Sequence, residues 1–179
     1  MSARATGAPV LNDMARFQVA LRRVRLLVLD VDGGLTDGRL FYGPKGELLK
    51  AFHVRDGHGI KQVAAAGITV AIISGRKSAA VARRARELGI RHVMQGTSDK
   101  LAALRKLAKA REFALEDCAC VGDDTPDAPI LAAAGLGVAV ADAHQDALDA
   151  ADLVTAHRGG RGAVREVCDW LIAARKASS

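Results

Sequence analysis

Hydrophobic and polar positions along this chain follow two alternating periods. Residues 26–29 (Leu26, Leu27, Val28, Leu29) form a short continuous apolar run, the pattern of a strand buried on both faces. Residues 68–73, 118–121 and 136–140 repeat that pattern, and shorter strand-like runs occur at 91–94 and 153–154. Between them the spacing turns helical. Leu11, Met14, Phe17 and Leu21 share one side of a predicted helix over 11–23. Further helices are predicted over about 60–66 and 78–88, from a cap at Ser98 or Asp99 to Lys109, after Pro126, and over 163–174. Met1 to Pro9 is small and polar and reads as a fraying end. Strand and helix alternating in this way specify βαβ units and a mainly parallel sheet.

One stretch breaks the rhythm. Residues 39–53, RLFYGPKGELLKAFH, hold two apolar-rich runs around Gly43-Pro44-Lys45-Gly46, a hairpin signal. The hairpin stands where a direct strand-to-helix crossover belongs. Its Leu40, Phe41 and Tyr42 call for a partner surface, either as a lid or as a subunit contact.

Composition narrows the picture. Half of the 179 residues are hydrophobic but only 3% are aromatic, so the core is one of Ala, Val, Leu and Ile. The length suits a single domain over 1–179, with the hairpin at 39–53 as a flap and a tail and helix at 156–179. No apolar run reaches the ~20 residues of a membrane helix, and the first 23 residues lack the apolar segment of a secretory signal, so no membrane is expected and the cytoplasm is the default. Cys118 and Cys120 sit two apart in a strand-like run and point to one face, which suits packing better than a metal. The net charge of +6 gathers at both ends of the chain without interleaved stacking aromatics. An anionic small substrate and a solvated surface account for it better than nucleic acid.

The chemistry lies at the strand ends. Asp30-Val31-Asp32, Ser74-Gly75-Arg76 and Gly122-Asp123-Asp124 each follow an apolar run, and Lys100 opens a helix. In a parallel sheet these ends share one edge, where ligands bind. Alternation along a strand directs Asp30 and Asp32 to the same side, and two desolvated carboxylates there call for a cation. The plain alternative is a polar strand end before a Gly-rich turn. Asp30 and Asp123 offer hard oxygens for Mg²⁺. Ser74 and the Gly75 amide can hold phosphate oxygens, and Lys100 can neutralise charge on the nucleophile and on a transferring phosphoryl group.

Four elements in order, DxDG at 30–33, Ser74, Lys100 and GDDxxD at 122–127, resemble the haloacid dehalogenase-like phosphatases over nearly the whole chain. The resemblance implies a three-layer, Rossmann-like α/β fold with no separate cap domain. It implies Asp30 as nucleophile forming an aspartyl-phosphate, and Asp32 as general acid and then base. It places Mg²⁺ on the Asp30 carboxylate, the Asp32 main-chain carbonyl and the Asp123 carboxylate, supported from behind by Asp124 and Asp127.

The segments DVDGGLTDG, KAFHVRDGHGI, ISGRK, VGDD and GGRGAVREVCDW are similar, more narrowly, to the 3-deoxy-D-manno-octulosonate 8-phosphate phosphatase family of lipopolysaccharide sugar synthesis. That similarity implies a sugar-acid phosphate substrate. Asp32, His53, Val54, Arg55, Asp56, Gly57, Lys61, Gly75, Arg76, Arg84, Lys100 and Arg161 match positions around that substrate. It also implies a homotetramer in which one subunit's hairpin covers a neighbour's site, with Gly159 to Gly162 as a mobile tail hinge. Gly34, His53 and Thr125-Pro126 depart from the family pattern without removing a catalytic group. Each basic position, taken singly, also reads as a surface salt bridge, and Asp37 as a turn residue. Phosphatases of the nine-carbon acids KDN and sialic acid 9-phosphate stand as a close alternative. A phospho-accepting receiver domain or a non-catalytic binding protein shares some of the groups, but a receiver carries its acceptor Asp on a later strand.

Overall fold

The computed structural model describes residues 11–177, with side chains from residue 16 onward. The fraying expected of Met1 to Pro9, and the core-facing side chains expected of Leu11 and Met14, lie outside what is described. The elements run α1 (Leu11–Arg23), β1 (Leu26–Leu29), β2 (Phe41–Gly43), β3 (Gly46–Leu49), α2 (Val54–Ala65), β4 (Thr69–Ser74), α3 (Ala79–Leu88), β5 (His92–Gln95) and α4 (Lys100–Ala110). They continue with β6 (Cys118–Gly122), α5 (Ala128–Ala133), β7 (Leu136–Ala139), α6 (Gln145–Ala150), β8 (Leu153–Val154) and α7 (Ala163–Lys176).

Six strands form one sheet in the order β5-β4-β1-β6-β7-β8, and every pair is parallel. β1 is central and fully buried, as its unbroken apolar run requires. Its alternate side chains enter two different cores. Leu27 and Leu29 pack with Ile60, Val63, Val164, Val167 and Leu171 on the side of α2 and α7. Leu26 and Val28 pack with Leu104, Ile130 and Leu131 on the side of α4 and α5. The three-layer α/β architecture read from the sequence is therefore the observed one. Cys118 and Cys120 are free and buried in the second of these cores, as packing residues. No described helix is long and apolar enough to cross a membrane.

Two elements differ from expectation. α2 begins at Val54, six residues earlier than the sequence pattern places it, so Val54, Arg55, Asp56 and Gly57 form its first turn. Gly57 and Gly59 read as loop residues on propensity alone, but close packing explains them. A Cβ on Gly57 would lie 2.3 Å from Arg84 Nη2, and one on Gly59 would lie 3.0 Å from Cys168 Cβ. Tertiary contact here outweighs glycine's cost of about 1 kcal/mol in a helix. The short helix α6 was not anticipated; only six residues long, it is capped by the His144 side chain accepting from Asp146 N.

The hairpin β2–β3 forms a separate two-stranded antiparallel sheet with its tip at Gly43 to Gly46. Phe41, Tyr42, Leu48 and Leu49 stay exposed on it. The segment expected to be a mobile hinge is seated on the loop after β1. Gly160 N donates to Gly34 O at 3.0 Å, and a Cβ on Gly159 would lie 1.6 Å from Gly33 O. Beyond it α7, the helix expected over 163–174, packs into the main core, with Val164, Val167, Cys168 and Leu171 fully buried.

Candidate active site

The parallel sheet brings the ends of β1, β4 and β6 to one edge, and α4 delivers Lys100 to the same place. Asp30 N donates to Val121 O at 3.0 Å, so the first residue beyond β1 is still fastened to β6. The chain then makes one wide turn over 31–35. Leu35 N returns to Asp30 O at 3.3 Å and Thr36 N to Val31 O at 2.9 Å. Thr36, buried at the end of the turn, donates through Oγ1 to Val31 O at 3.1 Å and accepts from Gly33 N and Gly38 N. Gly33 has φ +104°, and a Cβ there would lie 1.9 Å from Asp123 Oδ2. The glycine is required both by the backbone and by the carboxylate lying against it.

Asp30 is 4% exposed. Its Oδ1 accepts from Lys100 Nζ at 2.6 Å, and the same ammonium donates to Asp127 Oδ1 at 2.6 Å. Asp127 faces the other way as well: its Oδ2 accepts from Asp123 N at 3.1 Å and Asp124 N at 3.3 Å. Gly122 makes room for it, since a Cβ there would lie 2.4 Å from Asp127 Cβ. Asp30, Asp123 and Asp127 each present an oxygen, and these atoms lie within 4.8 Å of one another.

Three carboxylates against one lysine leave an excess of negative charge in a buried place. Burial, with repulsion from Asp127, pushes the Asp30 carboxyl up to about 6 despite Lys100. Burial, with Asp30 and Asp127 beside it, pushes Asp123 up to about 8. Burial acts to lower the Lys100 pKa, but attraction to Asp30 and Asp127 outweighs it and the net shift is upward. Hard anionic oxygens at this spacing fit a small divalent cation, which would relieve the repulsion. Asp127 stands within this carboxylate group, with Oδ1 on Lys100 and Oδ2 on the amides of Asp123 and Asp124. Asp124 stands outside it, exposed, with its side chain accepting from Thr125 N at 2.7 Å.

The Asp30 and Asp32 carboxylates have different cationic partners in the protein, Lys100 for the first and Lys50 with Arg76 for the second. β1 ends at Leu29, so strand alternation no longer governs Asp32, which lies inside the wide turn. Its Oδ1 takes a hydrogen bond from Lys50 and its Oδ2 lies 3.8 Å from Arg76 Nε. Ser74 is buried at the end of β4, its Oγ accepting from Arg76 N at 3.4 Å, with Gly75 exposed beside it. Arg76 Nε is buried and lacks a hydrogen-bond partner, a donor at the mouth of the site.

The remaining candidates divide. His53, Asp56, Gly57 and Arg84 line a cavity of about 10 Å³ with Phe52 and Leu35. Asp56 is 1% exposed, and its Oδ1 accepts from Arg165 N at 2.8 Å in the first turn of α7. Gly162 begins that helix with no capping side chain, and Asp56 supplies the cap from α2. One oxygen of Asp56 is therefore engaged in structure, while Oδ2 is buried without a hydrogen-bond partner in the residue that lines the cavity. Val54, Arg55 and Lys61 are exposed on α2, with no hydrogen bond or ion pair to the carboxylates. Arg161 lies 3.5 Å from Asp37 Oδ2, and Asp37 Oδ1 in turn accepts from Arg39 N, the turn contact its sequence position predicts. Gly34 has room: a Cβ there would meet Asp30 Cβ at 3.6 Å, an ordinary contact. Lys50, Glu47 and Thr36 were missed. Thr36 sits beside the acidic motif and was legible as a turn hydroxyl; the other two belong to the hairpin, whose docking no local pattern reveals.

A carboxylate beside a lysine and a hydroxyl, with further carboxylates for a cation, defines a hydrolase that handles a phosphoryl group at the sheet edge. The model of the haloacid dehalogenase-like hydrolase family matches residues 89–167. The chain is 53% identical over 152 residues to the 3-deoxy-D-manno-octulosonate 8-phosphate phosphatase of Escherichia coli K12, covering 85% of this chain and 81% of that protein. It is 47% identical over 167 residues to the enzyme of the same name from Yersinia pestis, covering 93% and 88%. A crystal structure of that phosphatase from Moraxella catarrhalis, in complex with magnesium, phosphate and KDO, superposes with a TM-score of 0.89 at 42% identity, covering 91% of this chain and 94% of that one. The chain belongs to the haloacid dehalogenase-like hydrolases, in the family of these octulosonate phosphatases.

Proposed function

We propose that this chain is a Mg²⁺-dependent phosphatase that releases phosphate from 3-deoxy-D-manno-octulosonate 8-phosphate, a step of lipopolysaccharide sugar synthesis. The observation that carries the reading is the Asp30 carboxylate. It is buried at the end of β1, gripped by Lys100 at 2.6 Å and grouped with Asp123 and Asp127, in a chain 53% identical to a phosphatase of that name.

In this reading Asp30 attacks phosphorus, the ester oxygen leaves, and an aspartyl-phosphate forms. Asp32 gives the leaving oxygen a proton and takes one from the water that then cleaves the acyl phosphate. Ser74 Oγ, the Gly75 amide and Lys100 Nζ hold phosphoryl oxygens. Mg²⁺ held by Asp30, Asp123 and the Asp32 main-chain carbonyl would neutralise charge on the phosphoryl group. Arg76, His53, Arg84 and Arg161 are the groups assigned to the sugar acid's carboxylate and hydroxyls, with Val54, Arg55, Gly57 and Lys61 around them.

One domain over 1–179 in the cytoplasm and a homotetramer belong to the same reading. Leu40, Phe41, Tyr42, Leu48 and Leu49 remain 39–69% exposed on the hairpin, which supports a contact between copies. Light scattering should give four copies, and a fully active monomer would remove this part.

The test is phosphate release from a panel holding the octulosonate 8-phosphate, KDN 9-phosphate, sialic acid 9-phosphate and hexose phosphates, with and without Mg²⁺. A kcat/KM preference for the octulosonate ester, lost on chelation, is the expected result. Preference for a nine-carbon acid would move the substrate, and no release from any of them would overturn the reading.

A further inference from the structure

Asp32 lies between two cations, and both are tied to the hairpin. Lys50 follows β3 directly. Its side chain is 1% exposed, and its ammonium donates to Asp32 Oδ1 and lies 3.2 Å from Glu47 Oε2. Glu47 Oε1 accepts from Ser78 Oγ, and Ser78 also accepts from Val81 N as the cap of α3. Ser78 N is fixed in turn by Gln95 Oε1 at 2.7 Å, at the end of β5. On the other oxygen of Asp32, Arg76 is held through Nη2 by Tyr42 Oη at 2.8 Å. The hairpin therefore contributes one residue to each side of the Asp32 carboxylate, and the chain of contacts from Lys50 runs back into the rigid sheet.

A lysine this buried is costly unless its charge is matched, and here two carboxylates match it. Lys50 has no exposure through which to meet substrate directly. Its placement serves the carboxylate.

We propose that Lys50 is a positioning residue for Asp32, locked in place by Glu47 and Ser78, so that the hairpin completes the proton-transfer half of its own chain's site. This rests on the reading of Asp32 as the group that moves the proton. A carboxylate that must meet first the leaving oxygen and then the attacking water works only if its rotamer is fixed. Lys50 hydrogen-bonds one oxygen, and the Arg76 guanidinium lies 3.8 Å from the other.

The experiment compares Lys50→Met, Lys50→Arg, Glu47→Gln and Asp32→Asn on two esters: the octulosonate 8-phosphate and p-nitrophenyl phosphate. Nitrophenolate leaves without a proton, so formation of the aspartyl-phosphate from it does not need Asp32. Lys50→Met should lower kcat on the sugar ester by about 10²-fold, the usual worth of a positioned acid, with KM within about threefold. Its first-turnover release of nitrophenolate should stay within about threefold of the parent. Lys50→Arg should recover part of the loss, and Glu47→Gln should give a smaller loss of the same kind. Equal losses on both esters, or a loss carried by KM, would overturn the proposal. So would parental activity in Lys50→Met. If Lys50→Met does not fold, as judged by circular dichroism, Glu47→Gln decides by the same ratio of losses. Asp32→Asn separates the two layers: if it lacks the ester-dependent loss, the role of Asp32 fails first, whereas its presence without an effect at Lys50 refutes Lys50 alone.

Discussion

Asp30 and Asp32 are two residues apart, yet they are built by different parts of the molecule. Asp30 is held by the core: β6 fixes its amide, α4 supplies Lys100, and the turn after β6 supplies Asp123 and Asp127. Asp32 is held by an insertion, with Lys50 and Glu47 from the hairpin and Tyr42 acting through Arg76. The first environment is buried and repulsive, and the Asp30 and Asp123 carboxyls are pushed upward. The second is a chain of matched charges at the mouth of the site. The fold thus supplies a general phosphoryl-transfer edge, and the hairpin adapts its second carboxylate.

The largest expected effect is on the core side. Asp30→Asn should reduce turnover to below about 10⁻³ of the parent, as loss of a nucleophile does, while Lys100 keeps Asp127 and the fold survives. Full activity would remove the covalent reading. Gly33→Ala should come next. Its Cβ would sit in the Asp123 carboxylate at a positive φ, so activity should fall by orders of magnitude and metal affinity with it, measured by titration calorimetry. The contrasting glycine is Gly46 on the hairpin, at φ +108° with nothing within 4 Å of a Cβ. There an alanine meets only backbone strain, about 1 kcal/mol in denaturant unfolding, and kcat should hold.

Lys100→Met would leave Asp30 and Asp127 buried without their shared cation. It should cost about 3–5 kcal/mol in urea unfolding of the metal-free protein as well as most of the activity. A loss under about 1 kcal/mol would show that the carboxylates are less confined than the geometry implies.

The last effect is a pH dependence. The folded protein holds the Asp123 proton more tightly than the unfolded chain, with a pKa near 8 against the ordinary 3.8. The stability contributed by this group is full below about pH 4 and is lost as pH rises toward 8. Asp123→Asn should therefore raise the Tm of metal-free protein relative to the parent at pH 8 and not at pH 4. A pH-independent difference would contradict the upward shift.

The same division governs what could be read in the sequence. The six parallel strands and the convergence of Asp30, Ser74, Lys100 and Asp123 follow from apolar runs that end in polar residues, because strand ends of a parallel sheet share an edge. The start of α2 was missed because Gly57 and Gly59 weaken helix propensity locally while packing against Arg84 and Cys168, residues far along the chain. The contact of Asp56 with α7 was not legible for a similar reason: the amide of Arg165 lies 109 positions away. Lys50 was invisible because β3 ends one residue before it, so alternation does not tell where its side chain goes. Positions fixed by a local period were legible, and positions fixed by a docked insertion or a distant helix were not.

The central claim is that Asp30 takes the phosphoryl group. The direct test is rapid acid quench of the Mg²⁺-loaded enzyme during turnover of the octulosonate 8-phosphate, followed by borohydride reduction and peptide mass spectrometry. An acyl phosphate at Asp30 would be reduced to homoserine at that position alone. Homoserine at Asp32 or Asp123 instead, or steady phosphate release with unmodified Asp30 at every quench time and in Asp30→Asn as well, would contradict the account.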